Sequence, residues 1–301
     1  MKIALLSDVH GNPVALDAVL EDLARQGGAD RHWFLGDVTG YGPWPRQCLM
    51  TLHEVVEADS LWLAGNHDLA IPLFLRGGVL GDEDLTALVG NHGYDKVDQQ
   101  HAIELVDFVR MPAYEGAYER MINAPTWAIP IPGIATAHGN VIAPPGDRSN
   151  VVGSTSYIEG VERAEMALSL LLAQPGAHAC QVLCVGHTHV QRLFYSSSGC
   201  PPYAWSNLLE HAPGGPAEPA GVTFDLAPGG VFVLCGGSIG QPRGADKDHP
   251  DPRAGYAILT LADGRISVEF RRVPYGFAAV QAKMEAEGYP TPLIYRLAIG
   301  M

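Results

Sequence analysis

Five short apolar runs in the first two thirds of the chain, residues 2–7, 32–35, 61–64, 133–137 and 181–185, have the length and composition of buried strands. Each stops abruptly at residues that can bind a metal or move a proton. In order these are Asp8-Val9-His10, Gly36-Asp37, Gly65-Asn66-His67-Asp68, His138-Gly139-Asn140 and Gly186-His187-Thr188-His189. Between the runs the apolar period lengthens to that of a helix. After the first, Asn12 suits an N-cap and Pro13 the first helical turn, Leu16, Val19, Leu20 and Leu23 share a face, and Gly27-Gly28 closes the segment. A second helix is predicted around residues 45–58. A third carries Val161, Ala164, Leu168, Leu171 and Leu172 on one side and ends at Pro175-Gly176.

Strand, ligand loop, helix is the repeating unit, so the chain reads as α/β, with two sheets and helices outside. In such sheets ligands gather beyond the carboxyl ends of the strands, which places all five endings on one edge. Residues from 69 to about 116 break the pattern. They carry helical pieces and no ligand-bearing strand, and read as a helical insertion or lid. The triplet Gly90-Asn91-His92 within it follows no apolar strand and is not expected to bind a metal. From about 220 to 275 come short strands, at residues 221–226, 230–235, 256–262 and 265–273, with a turn at Ala262-Asp263-Gly264, and they read as an antiparallel hairpin region.

Composition narrows the function classes. The candidate ligands stretch from Asp8 to His189, so one catalytic domain spanning residues 1–301 is expected. Hydrophobic residues make up 47% of the chain, enough for a large core. The net charge of −14, with no Lys/Arg run against it, argues against an extended nucleic-acid surface but is compatible with a local cationic centre made by metal ions. Five cysteines without a C-x-x-C pair argue for buried thiols and against a disulfide framework. No apolar stretch has the length of a membrane span and the first residues do not read as a signal peptide, so a cytoplasmic protein without a membrane partner is expected.

The ordered set Asp8-x-His10, Gly36-Asp37, Gly65-Asn66-His67-Asp68, His138 and Gly186-His187-x-His189 resembles the signature of the calcineurin-like metallophosphoesterases. The resemblance implies a four-layer α-β-β-α sandwich of two mixed sheets around two divalent ions. One ion would take Asp8, His10 and His189, the other Asn66, His138 and His187, and Asp37 would bridge them. His67 would stand over the substrate phosphate as general acid, held by Asp68. Mixed Asp/His/Asn ligands suit Mn, Fe or Zn, with Mn expected to support activity in vitro. The implied activity is hydrolysis of a small phosphodiester or phosphomonoester by metal-activated hydroxide, with a small phosphorylated molecule as partner. Histidines outside these motifs, His32, His53, His101, His178 and His211, are read as structural.

Other classes compete with that reading. Ser/Thr phosphoprotein phosphatases and dinucleoside polyphosphate hydrolases of this superfamily carry Asp-Arg-Gly after the Gly-Asp block, whereas this chain has Gly40-Tyr41-Gly42, and its acid after Asn-His is Asp68 rather than Glu. The arginine that would grip a phosphomonoester is therefore missing from that loop. A non-catalytic metal-binding scaffold is the alternative of another kind, and such proteins usually lack ligands that are all present here. Near the C-terminal strands, Arg243 closes the block Gly237-Ser238-Ile239-Gly240-Gln241-Pro242-Arg243 and would contact substrate phosphate or form a structural salt bridge.

Overall fold

The computed structural model describes residues 1–75, 97, 100–101, 104–105, 115–141, 156–196, 208–211, 221–226, 229–244 and 251–300. The first sheet begins with β1 (Lys2–Leu6), whose residues alternate between two cores as a strand's period of two requires. Ile3 and Leu5 point into the space between the sheets, while Ala4 and Leu6 point to the helices outside. A strand buried on both faces has to be apolar throughout, which is why residues 3–6 show no polar alternation.

β1 pairs in parallel with β2 (Arg31–Phe34) and antiparallel with β10 (Ala254–Ala262). β11 (Arg265–Val273) and β8 (Gly221–Leu226) complete the order β2-β1-β10-β11-β8. Asp263 and Gly264 turn the β10–β11 hairpin with φ of 51° and 72°, the left-handed pair that a tight hairpin with matching twist demands. The second sheet runs β3-β4-β5-β9-β6-β7, from Trp127–Ile131, Ile134–Ala137, Val182–Val185, Phe232–Gly236, Gln191–Tyr195 and Leu209–His211.

Helices α1 (Pro13–Arg25), α2 (Pro45–Val55), α3 (Asn66–Leu75) and α4 (Glu115–Asn123) lie on the first sheet's side, where Leu16, Leu49, Ala70 and Met121 join one core. α5 (Val161–Leu172) covers the second sheet through Ala164, Leu168 and Leu171. Helices, sheet, sheet and helix make the α/β fold with two mixed sheets. The Asn12 side chain caps α1 as expected, accepting from Ala15 N at 3.1 Å. Between the layers Gln191 Nε2 reaches three carbonyls, Gly236 in the second sheet and Tyr256 and Arg271 in the first, at 2.9–3.2 Å. It ties the sheets together where apolar packing alone would let them slide.

The structure departs from the sequence-based picture in three places. The strand at 230–235 is no part of an antiparallel C-terminal unit. As β9 it crosses to the second sheet and runs parallel to β5, because its fully apolar Val233-Leu234-Cys235 needs cover on both faces. Residues 61–64 form a single bridge, Phe34 to Trp62, rather than a full strand, since β2 offers them only its last residues before the ligand loop begins. Two further helices, α6 (Phe277–Ala286) and α7 (Thr291–Ile299), pack with Tyr41 against the site loop. The insertion expected at 69–116 and its Gly90-Asn91-His92 triplet lie mostly outside the described residues. Cys48, Cys180, Cys184 and Cys235 are buried free thiols. No helix among the described residues is long and apolar enough to cross a membrane.

Candidate metal centre

β1 and β2 in one sheet and β4 and β5 in the other are parallel pairs, so each pair delivers its carboxyl ends to one edge. There Asp8, His10, Asp37, Asn66, His138, His187 and His189 converge, none more than 6% exposed. Three overlapping triads bring their ligand atoms within 4.8 Å: Asp8-His10-His189, His10-Asp37-His67 and Asp37-His138-His187. Asn66 Oδ1 lies 3.0 Å from His138 Nε2.

The backbone is bent out of the strand conformation to achieve this. Asp8, His10, Asp37, His187 and His189 all have positive φ, between 45° and 64°. That region is unfavourable for residues with a Cβ, and strain of this kind persists only where the surroundings over-determine it. The ligand loops are also threaded past one another. A Cβ on Gly65 would sit 1.9 Å from Asp37 Oδ1, so only glycine lets the Asn66 segment pass the Asp37 loop.

Three imidazoles are fixed in orientation by backbone carbonyls. His10 Nδ1 donates to Thr39 O at 2.7 Å, His138 Nδ1 to Leu35 O at 2.7 Å and His189 Nδ1 to Gln241 O at 2.9 Å. Each therefore turns Nε2 inward, the arrangement in which a second partner sets the tautomer of a metal-binding histidine. The Nε2 atoms of His10 and His189 are 3.1 Å apart, and two inward lone pairs at that distance repel unless a cation lies between them. Asp37 Oδ2 is buried, receives no well-aligned hydrogen bond, and lies 3.3 Å from His138 Nε2 and 3.7 Å from His10 Nε2. It stands between the two halves of the cluster. These residues fit divalent ions.

Electrostatics agree with that fit. Burial, reinforced by neighbouring His189, pushes His10 far below the usual histidine range, and burial with the Arg243 charge does the same to His189. Burial likewise raises Asp37. His138 goes the other way: burial lowers it, but the Asp37 carboxylate outweighs burial and holds it up at about 9. The Asp37 carboxylate thus makes the gap beside it favour positive charge.

Asp68 does something other than hold His67. Its carboxylate accepts from the backbone amides of Asp37, Val38, Thr39 and Gly65 at 2.9–3.2 Å. It anchors the loop that carries Asp37. Burial and the Asp37 charge push it up to about 7 against the pull of those amides. Asp37 Oδ1 in turn accepts from His67 N at 2.9 Å, so the two loops clasp each other. The His67 ring meets His10 edge-on at 5.0 Å between centroids and Tyr41 at 4.6 Å. Burial and the surrounding histidines keep it far below the usual histidine range.

Arg243 donates its backbone N–H to His189 O at 3.3 Å, and its guanidinium lies 5.5 Å over the Tyr157 ring. Tyr157 is stacked on His187 at 4.6 Å. The 237–243 block also supports the ligands from behind, through Ser238 Oγ to Asp8 O and Gly240 N to Asp8 O. Sequence reasoning missed Tyr157 and Arg296, the latter lying 4.3 Å over the Tyr41 ring. Neither carries a motif of its own. Tyr41 was visible only as the residue standing where an arginine was sought.

A family model described as calcineurin-like phosphoesterase matches residues 1–191, the stretch that holds every proposed ligand. The crystal structure of a metallophosphoesterase from Sphaerobacter thermophilus is 29% identical, with a TM-score of 0.69 over 100% of both chains. An uncharacterized protein of Methanocaldococcus jannaschii is 39% identical over 83 residues, 28% of this chain and 29% of that one, so the match spans less than a third of that relative. With the family matched over more than half of its length and the clustered ligands in place, the chain belongs to the calcineurin-like phosphoesterases, a family of metal-dependent phosphoester hydrolases.

Proposed function

We propose that the protein hydrolyses a small phosphodiester or phosphomonoester at a dinuclear centre, one divalent ion held by Asp8, His10 and His189, the other by Asn66, His138 and His187, with Asp37 between. The observation that carries this reading is Asp37 Oδ2, buried between the two ligand sets without a well-aligned hydrogen bond. Bound there, Mn, Fe or Zn ions would acidify a water and polarise the phosphoryl oxygens.

The protein's own groups do the rest. Carbonyls at Leu35, Thr39 and Gln241 keep three imidazoles aimed inward, and Asp68 holds the Asp37 loop so that the carboxylate need not reorganise. His67 is the general acid. It is neutral in the free protein, and the negative charge of a bound phosphoryl group raises its affinity for the proton that it passes to the leaving oxygen. Tyr41 in the loop after Asp37, where phosphoprotein phosphatases carry arginine, supports a small ester over a phosphoprotein.

Elemental analysis and turnover test this together. The purified protein, incubated with Mn, is expected to hold about two ions per chain and to cleave an aryl phosphate diester or monoester. Fewer than one ion per chain, with no turnover across cyclic nucleotides, dinucleoside polyphosphates, sugar phosphates and phosphopeptides, would sink the proposal and favour a non-catalytic scaffold.

A further inference from the structure

Tyr41 sits in the loop after β2 with a left-handed backbone, φ 62°, and is 7% exposed. Its ring is 4.8 Å from that of His10 and 4.6 Å from that of His67. The loop is pressed against the centre, since a Cβ on Gly40 would lie 2.3 Å from His67 Nδ1. Arg296, brought by α7, covers the ring with its guanidinium at 4.3 Å and donates from Nε to Gln241 Oε1 at 2.8 Å. Gln241 is the residue whose carbonyl orients His189. The charges of Arg296, Arg243 and Asp37 all act on the Tyr41 hydroxyl, which places it at the edge of the centre. A bulky residue in left-handed backbone costs stability.

We propose that Tyr41 contacts the substrate, its hydroxyl donating a hydrogen bond to a non-bridging oxygen of the phosphoryl group bound at the metal centre. The inference rests on the phosphoester reading above. Its ring touches both His10, a ligand of one ion, and His67, the acid, and a phosphoryl group has to lie between those two to be attacked and to lose its leaving group. A phenol there can donate to an oxygen of the bound phosphoryl group. The Arg296 guanidinium over the ring holds it in place. The residue that replaces the loop arginine thus keeps a donor's task with a neutral group, and the nearby positive charge comes from a C-terminal helix.

The test compares Mn-loaded wild type with Tyr41→Phe. Turnover would be followed on an activated aryl phosphodiester and on an alkyl one. Inorganic phosphate binding would be measured by calorimetry, with metal content and melting temperature as controls. A hydrogen bond to a charged acceptor predicts a fall in kcat/KM of about 10- to 100-fold. The fall is expected to be equal for both leaving groups, because the hydroxyl touches a non-bridging oxygen. Phosphate is expected to bind more weakly, with metal content and melting unchanged. Unchanged kcat/KM and phosphate affinity would overturn the role of Tyr41 while leaving the function standing, and so would a loss that merely follows lost metal or lowered melting. A loaded wild type that neither binds phosphate nor turns over any ester would overturn the function and this inference with it.

Discussion

Asp22 and Asp37 are both buried carboxylates, and their surroundings have opposite character. Asp22, on α1, accepts from Tyr256 Oη at 2.8 Å and from Arg271 Nε and Nη2 at 2.6 and 3.2 Å, so both oxygens are used. Asp37 spends one oxygen on the His67 amide and presents the other to histidines with no well-aligned bond. Burial works against the charge of each. At Asp22 the bonds from Arg271 and Tyr256 outweigh it and lower the carboxyl's pKa, whereas at Asp37 burial prevails and raises it. A polar cluster that closes on itself stabilises the fold, and one left open in a rigid frame is prepared for something from outside.

The largest effect that could break this contrast is expected at Asp37. Asp37→Asn keeps the shape and the bond to His67 but removes the charge shared by the two ligand sets. Metal content is expected to fall from about two ions to none, and turnover by more than about 10³-fold, the equivalent of some 4 kcal/mol of transition-state stabilisation. The metal-free variant is expected to melt close to metal-free wild type, because it loses a buried charge that burial disfavours together with that charge's attraction to His138. A variant that kept both ions, or melted well below metal-free wild type, would place Asp37 with Asp22 as a structural carboxylate.

Next in size is the separation of the acid from the ligands. His67→Ala is expected to keep its metals and lose roughly 10²–10⁴ in turnover of alkyl esters, with a smaller loss on activated aryl esters whose leaving group needs little help. Asp68→Asn sharpens the comparison. An orienting partner of His67 would leave metal binding intact, but the four amides on Asp68 predict that its amide variant loosens the Asp37 loop and loses metal. Equal loss of His67→Ala on both ester types, or loss of its metals, would make His67 a ligand or a binding residue.

These two clusters also show what could be read before the structure. The convergence of the open one was legible, because its candidate ligands follow strand ends and sit in short motifs such as Gly36-Asp37 and Gly186-His187-Thr188-His189. The closed one was not. Asp22, Tyr256 and Arg271 are distant in sequence and obey no spacing, and only the pairing of β10 with β11 and the packing of α1 on that hairpin bring them together. The same applies to Arg296, which reaches Tyr41 by tertiary packing alone. Sheet membership failed for a related reason. The apolar content of β9 shows that it is buried on both faces but not in which sheet, and so its place beside β5 was unreadable.

The smallest effect belongs to Asp22 and concerns stability alone. Asp22→Asn removes one partner of a nearly buried pair and leaves the Arg271 charge with Glu269 as its remaining carboxylate. A loss of about 3 kcal/mol is expected, the low end for broken buried pairs, because the Asp22 side chain retains 12% exposure. Metal content and turnover at temperatures well below melting are expected to stay at wild-type values. The pH dependence gives the sign. Since the folded pKa lies below that of the unfolded chain, the contribution of Asp22 is complete above about pH 4, the ordinary aspartate value, and fades as pH falls through the lower folded value. The gap between wild-type and variant melting temperatures is therefore expected to be constant from neutral pH down to about pH 5 and to narrow below about pH 4. A gap that widened on acidification would mean that Asp22 is strained by burial as Asp37 is, and the distinction between the closed and the open cluster would fail.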